Sequence, residues 1–130
     1  MQIQYADHIK IIPFVAVDSI DGDTVTLKSE YNFDQMDTLN SVRPREEAKA
    51  SDAGTLFNFS LSVGVEKFTD ELKEKYGSNP PVVLILLKIS PSGVSQVVVG
   101  SFNNPTRMTW TPYPEYDQLE FSRSSISAVL

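Results

Sequence analysis

Cysteine is absent from these 130 residues and histidine occurs once. The first absence excludes disulfides, thiolate nucleophiles and cysteine-based zinc sites. The second leaves His8, beside Asp7, as the only imidazole around which a Ser-His-Asp hydrolase would have to be built, with no nucleophile-elbow motif near it. Glycines are few and scattered: Gly54, Gly64, Gly77, Gly93 and Gly100 fall at breaks in the pattern, and no glycine-rich phosphate loop follows a strand. Basic residues are outnumbered, 11 against 17 acidic, for a net charge of −6, and they form no cluster, so a nucleic-acid partner is not expected. The longest apolar run, Val82 to Leu87, falls far short of the roughly 20 residues that cross a bilayer, and no membrane partner is expected. Met1 to Tyr5 lack a basic region followed by an apolar stretch, so no secretory signal is expected and a cytoplasmic location is the default.

What is present is a β pattern in a chain of ordinary globular composition, with 41% hydrophobic and 22% charged residues, which predicts a packed core in a single β-rich domain over 1–130. Phe57, Phe59, Leu61 and Val63 alternate with Asn58, Ser60 and Ser62, the period of two expected of a strand with one dry and one wet face. Ile9 to Val17 is rich in β-formers apart from Pro13, which cannot donate to a ladder and points to an edge or a bulge. Asp21-Gly22 suits a type I′ turn before Thr24 to Lys28, so a hairpin is predicted from Ile9 to Ser29. Val65, Phe68, Leu72 and Tyr76 follow at helical spacing, with Gly77 as terminator, predicting one amphipathic helix at about 65–76. Val82 to Leu87 does not alternate, as expected of a central strand covered on both faces. Ser90-Pro91-Ser92-Gly93 should reverse the chain into Val94 to Phe102. Strands at Arg107 to Thr111 and around Leu119 to Ser122 complete the pattern.

Residues 30–53 are the exception. Tyr31, Phe33, Met36, Leu39 and Val42 lie at spacings that fit neither period, and Arg43-Pro44-Arg45 breaks any continuous element, so this stretch reads as an arm or long loop ordered by a partner, or as a missed element. The fold class predicted is mainly β: an antiparallel β-sandwich or partly open barrel of six to seven strands with one helix packed against it.

Few residues suggest chemistry. Asp18, Asp21 and Asp23 carry the hard oxygen ligands calcium prefers, but their spacing misses the EF-hand register and turn carboxylates are common for backbone reasons alone, so no metal is assigned. Glu46-Glu47 and Glu71 with Glu74 read as solvated, and no carboxylate pair is specific enough to name for acid–base work. No catalytic residue and no cofactor is therefore assigned, and the chain is expected not to be an enzyme. Trp110, Tyr113 and Tyr116, interleaved with Pro112 and Pro114, form the densest aromatic group, suited to an interface or to stacking on a sugar or peptide; the plainer reading places Trp110 in the core beside Met108. Tyr31, Phe33 and Met36 are the second set of candidate contact residues, on the ill-patterned segment.

The order Gly54-Thr55-Leu56-Phe57-Asn58-Phe59-Ser60-Leu61, a short helix, a strand pair around Ser92-Gly93 closing at Gly100-Ser101, and Asn104-Pro105 before another strand resembles small structural proteins of tailed bacteriophages and prophages of gut Bacteroidales-type bacteria. The resemblance spans Gly54 to Trp110 and rests on pattern. It implies a virion component, in the tail, neck or head, assembled in the bacterial host cytoplasm and acting through self-association or docking on other virion proteins. A non-enzymatic assembly protein is thus the expectation. The alternative is a carbohydrate- or peptide-binding β-module that uses Trp110, Tyr113 and Tyr116.

Overall fold

The computed structural model describes residues 6–21, 24–52, 54–101 and 104–125. Ten strands occur among them: β1 (Ala6–Pro13), β2 (Val17–Asp21), β3 (Thr24–Leu27), β4 (Asp34–Val42), β5 (Arg45–Ser51), β6 (Gly54–Val65), β7 (Val82–Ser90), β8 (Gly93–Val99), β9 (Arg107–Pro112) and β10 (Asp117–Ser125), with one helix, α1 (Asp70–Tyr76), between β6 and β7. The fold is mainly β and antiparallel, as the sequence pattern implies, but with ten strands in place of six to seven. Splitting of the first strand accounts for one of the additional strands, and β4 and β5 for the other two.

Eight strands form one antiparallel sheet in the order β8-β7-β1-β4-β6-β10-β9, with β5 also paired to β6. Between β4 and β6 the ladder thins to the single pair Thr38–Val65, and there the sheet folds over on itself. Its inner faces then meet: Ile9, Ile11, Met36, Leu84 and Leu86 from one side share a core with Phe59, Leu61, Val63, Leu119 and Phe121 from the other. The two ends approach again at Val82 and Thr106, whose backbones exchange two hydrogen bonds of 2.9 Å. One pair at each corner leaves a sandwich-like, partly open barrel rather than a closed one.

β7 lies inside this sheet and is dry on both faces. Val82, Leu84 and Leu86 enter the main core, while Val83 joins Ile12, Ala16 and Val17 in a second cluster on the outer side. That second cluster is roofed by the β2–β3 hairpin, which inserts Ile20, Val25 and Leu27. The predicted hairpin from Ile9 to Ser29 is therefore shorter than expected. Ile9 to Pro13 belong to the main sheet, a 3₁₀ turn at Phe14–Ala16 carries the chain out, and only β2 and β3 pair with each other. The turn predicted at Asp21-Gly22 lies outside the described residues at Gly22. Pro13 marks neither an edge nor a bulge. It is the buried last residue of a central strand opposite Val82, and the ladder resumes at once with Phe14 N–H donating to Pro81 O at 2.9 Å. The second hairpin forms where predicted: Ser90 pairs with Gly93 across Pro91-Ser92, and Gly93 adopts φ +134°, a conformation that side-chain-bearing residues rarely take.

Residues 30–53 are not an arm or loop over their length, since 34–42 and 45–51 are strands. On β4, Met36 is buried and Asp34 and Thr38 half-buried, whereas Gln35, Asp37 and Leu39 are exposed. The period of two is there, with a carboxylate on the dry side and a leucine on the wet side.

α1 starts later than predicted, because Val65 still belongs to β6. Thr69 is its N-cap, the hydroxyl accepting from Leu72 N–H at 3.3 Å, and Gly77 closes it. A helix of under two turns does not hold itself together in water, so packing of Phe68, Leu72 and Tyr76 into the core must fix it. Thr69→Ala should lower the unfolding free energy by about 1 kcal/mol in urea titration, with the slope against urea unchanged. No described helix is long and apolar enough to cross a membrane.

Candidate functional site

The outer face of β5-β6-β10-β9 is built from small polar residues because the period of two sends every second side chain away from the core. Ser60 and Ser62 on β6, Glu120 and Ser122 on β10, and Thr109 on β9 are all exposed, while Leu61 and Phe121 between them point inward. Register aligns them in rows: Thr109, Glu120 and Ser62 side by side, then Arg107, Ser122, Ser60 and Arg45. Arg43 and Arg45, at the corner between β4 and β5, complete a groove of about 530 Å³. An adjoining groove of about 640 Å³ is lined by Arg107, Asn58 and Ser124, the last donating its hydroxyl to Asn58 Oδ1 at 2.6 Å. Arg43 and Arg45 thus share a groove with one carboxylate, Glu120, over a floor of hydroxyls, and Arg107 lies in the adjoining groove. None of the ion pairs among the described residues engages Arg43, Arg45 or Arg107.

Beside this face β5 and the start of β6 continue as a two-stranded ribbon. Ser51 pairs with Gly54 and Ala48 with Phe57, whereas β10 reaches β6 only from Phe57 onward. Glu47, Ala48, Lys49 and Ala50 on one strand and Thr55 and Leu56 on the other are exposed.

Two polar constellations, one buried and one partly buried, hold the frame. Asp117, fully buried at the start of β10, accepts from Phe68 N–H at 2.6 Å and from Lys67 Nζ at 3.1 Å; Lys67 also donates to Tyr113 O at 2.5 Å. Burial by itself would raise the Asp117 carboxyl, but the Phe68 and Lys67 hydrogen bonds, the nearby Trp110 indole and the Lys67 charge outweigh it and hold the group below its ordinary 3.8. The Trp110 Nε1–H is itself buried and closes no hydrogen bond of standard geometry, so it acts on Asp117 as an oriented dipole. Across the core, Tyr76 Oη donates to Asp34 Oδ2 at 2.5 Å, and Lys75 Nζ reaches the same oxygen at 2.8 Å. Burial first, then the Asp34 hydrogen bond and charge, push the Tyr76 hydroxyl far above its usual range.

Of the predicted contact residues, only Tyr113 and Tyr116 are brought together. Trp110 is half-buried against the core and stacks on Phe68, centroids 5.4 Å apart and planes 12° from parallel. Tyr113 and Tyr116 stack on each other at 5.0 Å. Tyr116 lies over Gly64 on the outer face, where a Cβ would meet its ring and Leu39 at 3.4 Å, so Trp110 and Tyr116 occupy opposite faces of the sheet. Met36 is in the main core, Phe33 packs into the second cluster, and Tyr31 is exposed. His8 Nδ1 sits 2.5 Å from Asp37 Oδ1 at the surface. Asp18 and Asp21 are exposed on β2, and Asp23 lies outside the described residues; among those that are described, no three His, Cys, Asp or Glu side chains converge as metal ligands.

No family model matches the chain, and neither a curated protein nor a solved structure does. Arg43 and Arg45 stand in the sequence as a break and Asp117 as a loop end. The serine alternation that marks the floor of the groove is the one signal of the first two, and no pattern in the sequence signals Asp117.

Proposed function

We propose that this chain is a non-enzymatic assembly protein: a stiff β core that presents the β5–β6 ribbon and the outer face beside it to neighbouring subunits. The observation that carries the reading is the ribbon. A two-stranded ribbon wet on both faces is marginal in water, so its backbone order is fully stabilised only when a second surface covers it. Its inner side supports docking, since Ala48, Ala50 and Phe57 continue the apolar face of β6 past the end of the core. The resemblance of Gly54 to Trp110 to virion proteins of tailed phages supplies the setting, a particle built from repeated contacts in the host cytoplasm.

Sedimentation velocity over a hundredfold concentration range should show reversible association of the full chain. Ala48→Glu combined with Leu56→Glu should weaken it at least about tenfold, by placing carboxylates on both faces of the ribbon without touching the core. A parent that sediments as a monomer throughout would overturn the reading.

A further inference from the structure

Two surfaces on opposite sides of the molecule are complementary in charge. On the outer face of β5-β6-β10-β9 lies the groove of Arg43, Arg45, Ser60, Ser62, Glu120 and Ser122, with Arg107 beside it. Its positive excess is notable in a chain of net charge −6, because none of these arginines is neutralised by an ion pair among the described residues. The short side chains of the floor allow another backbone to come close. On the outer side of β1, β7 and β8 sits the β2–β3 hairpin, anchored by Val17, Ile20, Val25 and Leu27 in the second cluster. Its outward residues are Asp18, Ser19 and Asp21 on β2 and Thr24 and Thr26 on β3, so every charge on these two strands is negative. α1 is the other acidic element, but Lys73 and Lys75 are interleaved with Asp70, Glu71 and Glu74 on it and weaken its field.

We infer that the arginine groove receives the acidic β2–β3 hairpin of a second copy of this chain, Asp18 and Asp21 pairing with Arg43 and Arg45. Guanidinium groups suit this role because their planar fork grips a carboxylate through two donors. The two surfaces lie on different faces of one molecule, so the contact is head-to-tail and repeats, giving a ring where the rotation closes and a filament where it does not. The inference rests on the assembly reading above and names the contact.

A charge-swap experiment on the full chain tests it. Arg43→Glu with Arg45→Glu gives an acidic groove facing an acidic hairpin, and Asp18→Lys with Asp21→Lys gives a basic groove facing a basic hairpin. All four positions are exposed, so both variants should retain the parent's circular dichroism spectrum and unfolding midpoint. Each variant alone should sediment as a monomer where the parent associates, and an equimolar mixture should associate again, because each groove then meets a hairpin of opposite sign. In the parent, raising salt from about 50 mM to about 500 mM should weaken association, a check that needs no variant. A parent that associates while the swapped variants associate equally well, or while their mixture stays monomeric, overturns the hairpin-in-groove contact and leaves the assembly reading standing. A parent that never associates overturns both.

Discussion

Replacing Tyr76 with alanine will lower the unfolding free energy by about 4 kcal/mol, and replacing it with phenylalanine by about 1 kcal/mol. The large effect is one of volume. Tyr76 is completely buried, its ring sits 6.1 Å from that of Phe68, and it is the last residue of a helix held in place by core contacts. Alanine would open a cavity at the point where α1 is pinned to β1 and β4. Phenylalanine keeps the ring and removes only the hydroxyl, and Asp34 Oδ2 is left with its Lys75 partner at 2.8 Å, so no carboxylate is orphaned. The hydroxyl should also show itself in alkali. Burial and Asp34 keep it protonated in the folded chain well above the ordinary value of 10.0, whereas in the unfolded chain it ionises there. Above pH 10 the unfolded state therefore binds fewer protons, and stability falls as pH rises, by about 1.4 kcal/mol for each pH unit from this group. Below pH 10 the contribution is fully present. Urea titrations between pH 8 and pH 11 should show a steeper alkaline loss in the parent than in Tyr76→Phe; equal slopes would mean that the folded chain does not keep the hydroxyl protonated above its ordinary value.

The Tyr76–Asp34 pairing also explains why part of the fold is invisible in the sequence. A strand is legible when its dry side is apolar, as in Phe57 to Val63, or when both sides are, as in Val82 to Leu87. On β4 the dry side carries Asp34, tolerated because Tyr76 and Lys75 arrive from far along the chain to satisfy it, and the wet side carries Leu39, half exposed at 50%. β5 fails for the opposite reason: with water on both faces of the ribbon, no period is imposed on Arg45 to Ser51. Pro13 misled because its missing donor matters only where the ladder needs one, and at the last position of β1 the ladder passes to Phe14. The groove was half legible. Its serine floor follows from alternation, but the meeting of Arg43 and Arg45 with Glu120 and Ser122 depends on β5 and β10 flanking the same strand, which pairing alone decides. Aromatic density was the weaker guide, since Trp110 is taken up by Phe68 and each tyrosine covers a face of the other.

Asp117→Ala should cost about 3 kcal/mol, and Asp117→Asn about half as much. In the alanine variant the buried Phe68 N–H loses its only described acceptor, Lys67 loses its ion pair, and the link between the β6–α1 connection and β10 is cut at both oxygens. Asparagine keeps one acceptor for Phe68 but surrenders the charge that Lys67 faces. The pH dependence separates these contributions. The folded carboxyl is held below its ordinary 3.8, so between the two values the unfolded chain binds more protons and stability rises with pH. The contribution is complete above about pH 5 and is lost as the pH drops through the depressed folded value. Acid titration of the parent should therefore show a stability loss below pH 4 that Asp117→Asn lacks. Trp110 is the single tryptophan, stacked on Phe68 and lending its dipole to this carboxylate, so its fluorescence reports on the clamp directly. In Asp117→Ala the emission should shift to the red under native conditions, as the Phe68 backbone loses its anchor and water reaches the indole. An unshifted spectrum together with a cost under about 1 kcal/mol would mean that the carboxylate is replaceable and that core packing alone positions α1.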